Sequence, residues 1–108
     1  MANDFKNAQE TSVTSQTTVY TAPANKDSII LELDVANTTS SAVTASVKLY
    51  DLSDTAFAHI VKDAPIPSGS SLQVISGQKV ILETGDYICV VASGACDVVC
   101  SILEDVNS

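Results

Sequence analysis

The sequence predicts an all-β protein: a single antiparallel β-sandwich of about eight strands with jelly-roll or immunoglobulin-like connections. Two segments, residues 29–35 and 43–49, alternate apolar and polar side chains over seven residues, which is typical of half-buried strands. Residues suited to strands and polar turns are abundant, with 13 Val, 8 Ile, 14 Ser and 10 Thr among 108 residues. Because short strands must bury their apolar faces, two stacked sheets are the expected architecture.

The two alternating segments also predict which side chains face the core. The inward set is Ile29, Leu31, Leu33 and Val35 in the first segment and Val43, Ala45, Val47 and Leu49 in the second. The polar run at residues 37–41 is typical of a turn. We therefore expect the two segments to form an antiparallel pair.

The other strands follow from shorter apolar runs that end near Pro or Gly. They are predicted at residues 17–21, 57–62, 72–75, 80–82, 87–93 and 97–103. Pro65 and Pro67 are expected to stop the strand that begins at Phe57, because Pro cannot donate a ladder hydrogen bond. The last two strands flank Gly94 and Ala95, which predicts a terminal hairpin.

The chain length and the 45% hydrophobic content indicate one domain with one core. We assign residues 17–108 to the β-sandwich domain. Residues 1–16 are assigned to an extended N-terminal arm, because this segment is polar and has no sustained period. Two interpretations of the arm stay open: it is a frayed chain end, or it orders against a neighbouring subunit with Phe5 as its anchor.

The charge argues against nucleic acid as a partner. Five Lys, no Arg and 13 acidic residues give a net charge of -8, and such a field repels phosphates. No apolar run approaches the ~20 residues of a membrane helix, so no membrane partner is expected. The first residues contain no apolar run, so no secretory signal is expected. These features predict a protein made in a reducing cytoplasm and kept soluble by its charge.

The sequence does not favour catalysis. The single His, His59, lies in a predicted strand with Phe57 and Val61 on its own face, and a packed or interface His is the favoured interpretation over a general base. No nucleophile-elbow or phosphate-loop motif is present. We therefore predict a protein that is not an enzyme and needs no cofactor.

The three cysteines allow three interpretations. Cys89 and Cys100 lie within apolar strands, which favours buried thiols that behave as small hydrophobic side chains. Zinc bound by Cys89, Cys96, Cys100 and His59 is disfavoured, because the spacing lacks two closely spaced pairs. A disulfide remains open, since the predicted terminal hairpin would place Cys89 opposite Cys100.

Calcium binding is the other metal hypothesis. Asp51, Asp54 and Asp63 are expected to flank one loop, but they lack the dense alternation of oxygen ligands that an EF-hand needs. A solvated acidic surface is the favoured interpretation, and no metal site is predicted.

Four ordered stretches carry a family resemblance: residues 17–24 (TTVYTAPA), 34–39 (DVANTT), 59–69 (HIVKDAPIPSG) and 82–87 (LETGDY). Together they resemble small virion structural proteins of tailed bacteriophages, of the marine and cyanobacterial type, from about Phe5 to Val106. The resemblance implies a non-enzymatic β-sandwich that assembles in many copies on a phage particle, and it carries over no binding residues.

The function expected on these grounds is a capsid decoration (cement) protein that binds the outer shell and bridges major capsid subunits. Self-association into a trimer or ring is also expected, from exposed edge strands. The expected location is the virion head surface, after synthesis in the host cytoplasm. One alternative is a neck, tail or fibre-base adaptor. Another is a carbohydrate-binding host-recognition module that uses Tyr50 or Tyr87.

The predicted partner contacts lie in two places, the arm with its entry into the sandwich and the proline-bounded loop. They are Phe5, Val13, Tyr20, Pro65, Ile66 and Pro67. For the loop, a simple crossover between strands is an equally favoured interpretation.

Overall fold

The computed structural model describes residues 4–104, which form two four-stranded antiparallel sheets. The strands are β1 (Asp4–Val13), β2 (Thr17–Thr21), β3 (Ser28–Asn37), β4 (Val43–Asp51), β5 (Ala56–Ile66), β6 (Ser71–Leu82), β7 (Tyr87–Ala92) and β8 (Cys96–Glu104). Sheet A has the order β1-β8-β3-β6, and sheet B has the order β2-β7-β4-β5. The predicted all-β sandwich is confirmed. Within residues 4–104 there is no helix long and apolar enough to cross a membrane.

The connectivity is that of a jelly roll. The first half of the chain folds back on the second, so that β1 pairs with β8, β2 with β7, β3 with β6 and β4 with β5. Two further pairings, β3 with β8 and β4 with β7, complete the sheets. This nested pairing is the double Greek key of a jelly roll, which decides between the two topologies that the sequence left open.

Two pairings expected from the sequence are wrong. β3 and β4 lie in different sheets, and so do β7 and β8, although short turns join them. Each turn carries the chain from one sheet to the other across the core, which is about 10 Å thick in such sandwiches. The partner of each strand is therefore distant in sequence, and turn length alone could not identify it.

The predicted number of strands, eight, is correct, but the eight strands are not the same as those predicted. Residues 72–75 and 80–82, predicted as two strands, belong to the single strand β6. An irregularity in the pairing of β6 with β3 separates them, and Gly77 and Lys79 adopt positive φ there (99° and 60°). The eighth strand is β1, which the sequence did not predict.

The N-terminal segment is extended, but it belongs to the sandwich rather than to a separate arm. Seven consecutive residues, from Asp4 opposite Glu104 to Glu10 opposite Val98, pair with β8. Most side chains of β1 are exposed, so the strand lacks the alternation by which the others were found. Residues 1–3 of the predicted arm lie outside the described residues.

The core lies between the sheets and is built mainly from Val, Ile and Leu. The inward positions predicted in β4 at Val43, Ala45 and Val47 are all buried, and Leu49 is half-buried against the core. In β3 the prediction holds only for Leu33 and Val35. The first part of β3 has the opposite phase, because an irregularity between Ile30 and Glu32 reverses the alternation.

The proline-bounded segment also differs from its prediction. β5 continues to Ile66 and contains Pro65, which pairs with Thr44. β5 is an edge strand of sheet B. A proline on an edge strand costs no ladder hydrogen bond when its nitrogen faces away from the sheet, so the strand does not stop at Pro65.

Candidate interaction surface

Most of the exposed large apolar side chains gather at one end of the sandwich. We call this the terminal end; it comprises Asp4, Glu104 and the turns at residues 22–27, 52–55 and 83–86. The opposite end, with the turns at residues 14–16, 38–42, 67–70 and 93–95, is called the polar end. Of the five large apolar side chains exposed within residues 4–104, all but Val99 lie at the terminal end: Phe5, Leu52, Phe57 and Ile81.

An apolar row crosses the outer face of sheet A at the terminal end. Phe5 of β1 lies opposite Leu103 of β8, Leu103 opposite Ile29 of β3, and Ile29 opposite Ile81 of β6. Opposed residues share a face of a sheet, so the four side chains form one continuous row. The two outer members are the most exposed, Phe5 at 79% and Ile81 at 64%.

The irregularity in β3 creates this row. Regular alternation from Leu33 back to Ile29 would place Ile29 in the core, and that was the prediction. The irregularity after Ile30 instead buries Ile30 and turns Ile29 outward. Reasoning from the sequence missed Ile29, Leu103 and Ile81 as surface residues. A usable signal existed, because the three-residue apolar runs 29–31 and 80–82 cannot bury every member in a two-faced strand.

The outer face of sheet B carries an aromatic cluster at the same end. The rings of Tyr50 and Tyr87 stack with centroids 4.8 Å apart, and Phe57 meets Tyr50 edge-on at 4.9 Å. Lys48 lies over Phe57, with its Nζ 4.9 Å from the ring centroid. The two tyrosines of the carbohydrate hypothesis are thus brought together, but the faces that stack cover each other rather than lying open to a sugar.

Beneath the terminal end, a polar cluster joins the two sheets. Glu104, only 3% exposed, accepts a hydrogen bond from the Tyr20 hydroxyl and lies 3.6 Å from Lys6 Nζ. The Ser28 hydroxyl lies 2.9 Å from the Tyr20 oxygen. Burial, and then the hydrogen bond to Glu104, raise the pKa of Tyr20 well above its usual range. The buried carboxylate therefore has a reliable hydrogen-bond donor at all physiological pH values.

The structure places the six predicted contact residues in different environments. Phe5 belongs to the apolar row, and Pro65 and Pro67 are exposed near the polar end. Val13 and Ile66 lie in the core at 3% and 1% exposure, which removes their side chains from the surface. Tyr20 is half-buried, with its hydroxyl directed into the polar cluster.

The cysteines do not form the bond that remained open at the sequence level. All three are buried and free. Cys89 lies in sheet B and Cys100 in sheet A, so the hairpin that would have opposed them does not exist. Burial raises the pKa of each thiol, that of Cys100 to about 12. Neutral thiols buried in this way are poor nucleophiles.

His59 and the loop carboxylates do not converge on one site. His59 is exposed on the edge strand β5 opposite Lys48, so it is not packed in the core, and its place at an interface stays a prediction. Asp51 ends β4 opposite Ala56 at the start of β5, whereas Asp63 lies towards the other end of β5. Within residues 4–104, no group of three His, Cys, Asp or Glu side chains is placed to hold a metal ion, and no pocket is found.

One carboxyl on the outer face of sheet A is incompletely satisfied. Asp34 lies in the middle of β3, and its Oδ1 is buried without a hydrogen-bond partner. Burial, together with the hydrogen bond and charge of Glu32, raises the pKa of Asp34 to about 6. Asp34 shares its row with the exposed Val99. The middle of this face therefore differs in chemistry from the apolar row.

Comparison with known proteins identifies a shared fold. No protein-family model matches the sequence, and no curated protein matches it. The structure is similar to that of a Bacillus endospore appendage, described as a novel family of disulfide-linked pili. The TM-score is 0.59 and the identity 16%, over 99% of this chain and 88% of the other.

The structure is also similar to a chain of the T13 particle of infectious bursal disease virus. Here the TM-score is 0.51 and the identity 11%, over 95% of this chain and 35% of that one. The present chain thus spans about a third of the viral protein. At these sequence identities both comparisons establish a similar fold only. The function has to be argued from the chemistry of the surface.

Proposed function

We propose that this protein is a structural component of a virion, a decoration protein that binds the outer shell of a phage head and bridges neighbouring shell subunits. The observation that carries the proposal is the gathering of exposed apolar side chains at the terminal end. A contiguous exposed apolar surface on a small protein marks a docking site. The sequence resemblance to phage structural proteins, and the similarity of fold to a viral-particle protein, also support an assembly role.

The charge and the apolar surface have complementary roles in this proposal. The net charge of -8 keeps free copies soluble before they dock. The apolar row and the aromatic cluster lie on opposite outer faces of the same end. One molecule can therefore contact two shell subunits at once. Modest contacts made simultaneously add through avidity and oppose separation of the subunits.

A second candidate is a neck, tail or fibre-base component. The similarity to the appendage subunit favours it, because that similarity covers 88% of the other chain. Copy number separates the two candidates: a decoration protein is present at on the order of hundreds of copies per particle, and a tail ring at a handful or tens. Densitometry of purified virions measures this directly.

The experiment that tests docking uses virions stripped of this protein and purified variants added back. Phe5→Asp and Ile81→Asp place a charge in the apolar row. The matched control is Val99→Asp, because Val99 is 48% exposed on the same face but outside the row. We expect the two row variants to lose rebinding at least tenfold, and V99D to rebind and restore heat tolerance like the natural protein.

Circular dichroism and thermal melting verify that all three variants fold. If V99D abolishes rebinding while the two row variants leave it intact, the apolar row is not the docking surface. Recovery of the protein only on detached tails would exclude the decoration role and leave the second candidate.

A further inference from the structure

The four edge strands of the sandwich differ in how well another strand could pair with them. An exposed edge offers unpaired backbone N–H and C=O groups, and natural proteins protect such edges with short strands, bulges, Pro or Lys. Sheet A ends at β1 and β6, and sheet B ends at β2 and β5. Each edge can be judged by its longest uninterrupted run of paired residues.

Three of these edges are protected. β6 is interrupted at Gly77 and Lys79, both at positive φ, and its longest regular run is three residues. β5 contains Pro65 and an irregularity at Asp63, whose φ is 51°. β2 has only five residues and a register shift between Thr18 and Tyr20. A long partner strand cannot align with any of them.

The remaining edge, β1, is unprotected. Its pairing with β8 is unbroken over seven residues, from Asp4 to Glu10, and the first irregularity comes only beyond Glu10. This stretch contains neither Pro nor Gly, and its one lysine, Lys6, is directed to Glu104 of the neighbouring strand β8, 3.6 Å away. Its side chains are exposed, apart from Ala8 and Glu10, which are half-buried. Among the strands that the structure describes, β1 alone presents a straight edge of useful length.

We propose that the free edge of β1 pairs antiparallel with β1 of a second copy of this chain, forming a closed two-fold dimer with a continuous eight-stranded sheet. Growth into a ring or fibre by edge pairing needs two open edges on each copy, whereas this fold leaves one. A single self-complementary edge closes after two subunits. The proposal concerns the isolated protein and does not depend on its role in a virion.

The charges on β1, together with the length of its unbroken run, select one register. When two identical strands pair antiparallel, opposed side chains lie on the same face of the sheet only if the two-fold axis passes at a residue and not between two residues. A two-fold axis at Lys6 places the two Lys6 residues opposite each other. An axis at Asn7 places Asp4 of each copy opposite Glu10 of the other. An axis at Ala8 instead places Lys6 of each copy opposite Glu10 of the other, and the small Ala8 residues lie opposite each other. An axis at Phe5 also opposes unlike charges, Asp4 and Lys6, but it pairs only residues 4–6 of the unbroken run, whereas the Ala8 axis pairs residues 6–10. Opposite charges facing each other stabilise a strand pair, and like charges destabilise it, so the Ala8 register is selected.

Cysteine cross-linking tests this register in the folded protein. In the Ala8 register Asn7 of one copy lies opposite Gln9 of the other, about 5 Å away between Cα atoms, within disulfide range. Two Asn7 residues would be about 8 Å apart and out of range. The native thiols are buried, so background cross-linking is low. The variants are Asn7→Cys and Gln9→Cys, carrying tags of different mass and oxidised with glutathione disulfide.

We expect a cross-linked dimer when N7C and Q9C are mixed, and less than a tenth as much from either variant alone. Cross-linking of N7C with itself would overturn the register, since it requires the axis at Asn7. A chain that sediments as a monomer at high concentration, with no cross-link in any mixture, would overturn the dimer. Thermal melting verifies that both variants fold.

A charge reversal provides the second arm of the test. Glu10→Lys converts two attractive pairs into two repulsive ones, and we expect dimerisation to weaken about tenfold. The matched control is Asp54→Lys, on the exposed turn after β4. Both variants lower the net negative charge equally. If general repulsion between copies set the affinity, both would strengthen the dimer, and that result would overturn the proposed pairing.

Discussion

The two ends of the sandwich differ in where their polar and apolar groups lie. At the polar end the turns are hydrogen-bonded to one another: Asn37, 3% exposed, bonds both the turn after β3 and the end of β5, and Thr38 bonds Ala95. At the terminal end the polar cluster lies inside, around Glu104, while the apolar row and aromatic cluster lie outside.

This difference separates stability from recognition. The polar end satisfies its buried groups within one chain and has no large exposed apolar side chain among the described residues. The terminal end keeps apolar side chains such as Phe5 and Ile81 mostly in water, where they contribute little of the stability that burial would give. Surface retained without a benefit to folding is available for binding. Substitutions at the two ends, and on the face between them, therefore test whether stability and recognition are separate.

Asn37→Ala is expected to have the largest effect. The side-chain amide donates to the carbonyls of Ser41 and Ile66 at 2.8 and 3.0 Å, and its oxygen accepts from the Thr39 amide at 2.8 Å. Removing it abolishes these three hydrogen bonds, of which the one to the Ile66 carbonyl is buried, so we expect a loss of about 3 kcal/mol in urea unfolding. Ser40→Ala in the same turn is the control, with less than about 0.5 kcal/mol expected. A loss below about 1 kcal/mol for N37A would contradict the role of Asn37.

Tyr20→Phe tests the interior of the terminal end. The variant keeps the ring and removes the hydroxyl that donates to Glu104, leaving that buried carboxylate with Lys6. We expect a loss of about 2 kcal/mol. Tyr87→Phe, in the aromatic cluster on the outer face, is the matched control and should change stability by less than about 0.5 kcal/mol. Equal losses for the two variants would show that the hydroxyl in the polar cluster has no special role.

Asp34→Asn tests the face between the two ends, through its pH dependence. A carboxyl whose pKa is raised on folding, here to about 6, contributes stability that is fully present below its unfolded pKa. That contribution is lost as the pH rises through about 6. From about pH 4 to about pH 7, the stability of D34N relative to the natural protein should therefore rise by about 1 kcal/mol after solvent screening.

The control for this measurement is Asp54→Asn, which removes one carboxyl group on the exposed turn after β4, away from Glu32 and Asp34, and D34N should change with pH more than D54N does. A D34N difference that is independent of pH would mean that Asp34 titrates normally. Glu32→Gln should give part of the D34N effect, because it removes the charge and hydrogen bond beside Asp34.

The surface could be predicted only in part from the sequence. Phe5 was identified because a large apolar side chain stood out in a polar segment. The rest of the apolar row was missed for two reasons: the irregularity after Ile30 reversed the phase of β3, and the partners of Ile29 come from β6 and β8, more than 40 residues away. Val13 and Ile66 were misassigned, because isolated apolar residues near a turn look the same whether they point in or out.

The sequence by itself determined the class of the fold. Side chains that alternate between apolar and polar can bury one face only in a strand, and a chain of this length must stack such strands into two sheets. Tertiary structure decided the nested pairing, the membership of β1 and the phase of β3. All three features depend on contacts between residues that are distant in sequence. The polar strand β1 is ordered by its neighbour β8, and one inserted residue in β3 changes which side chains face the solvent.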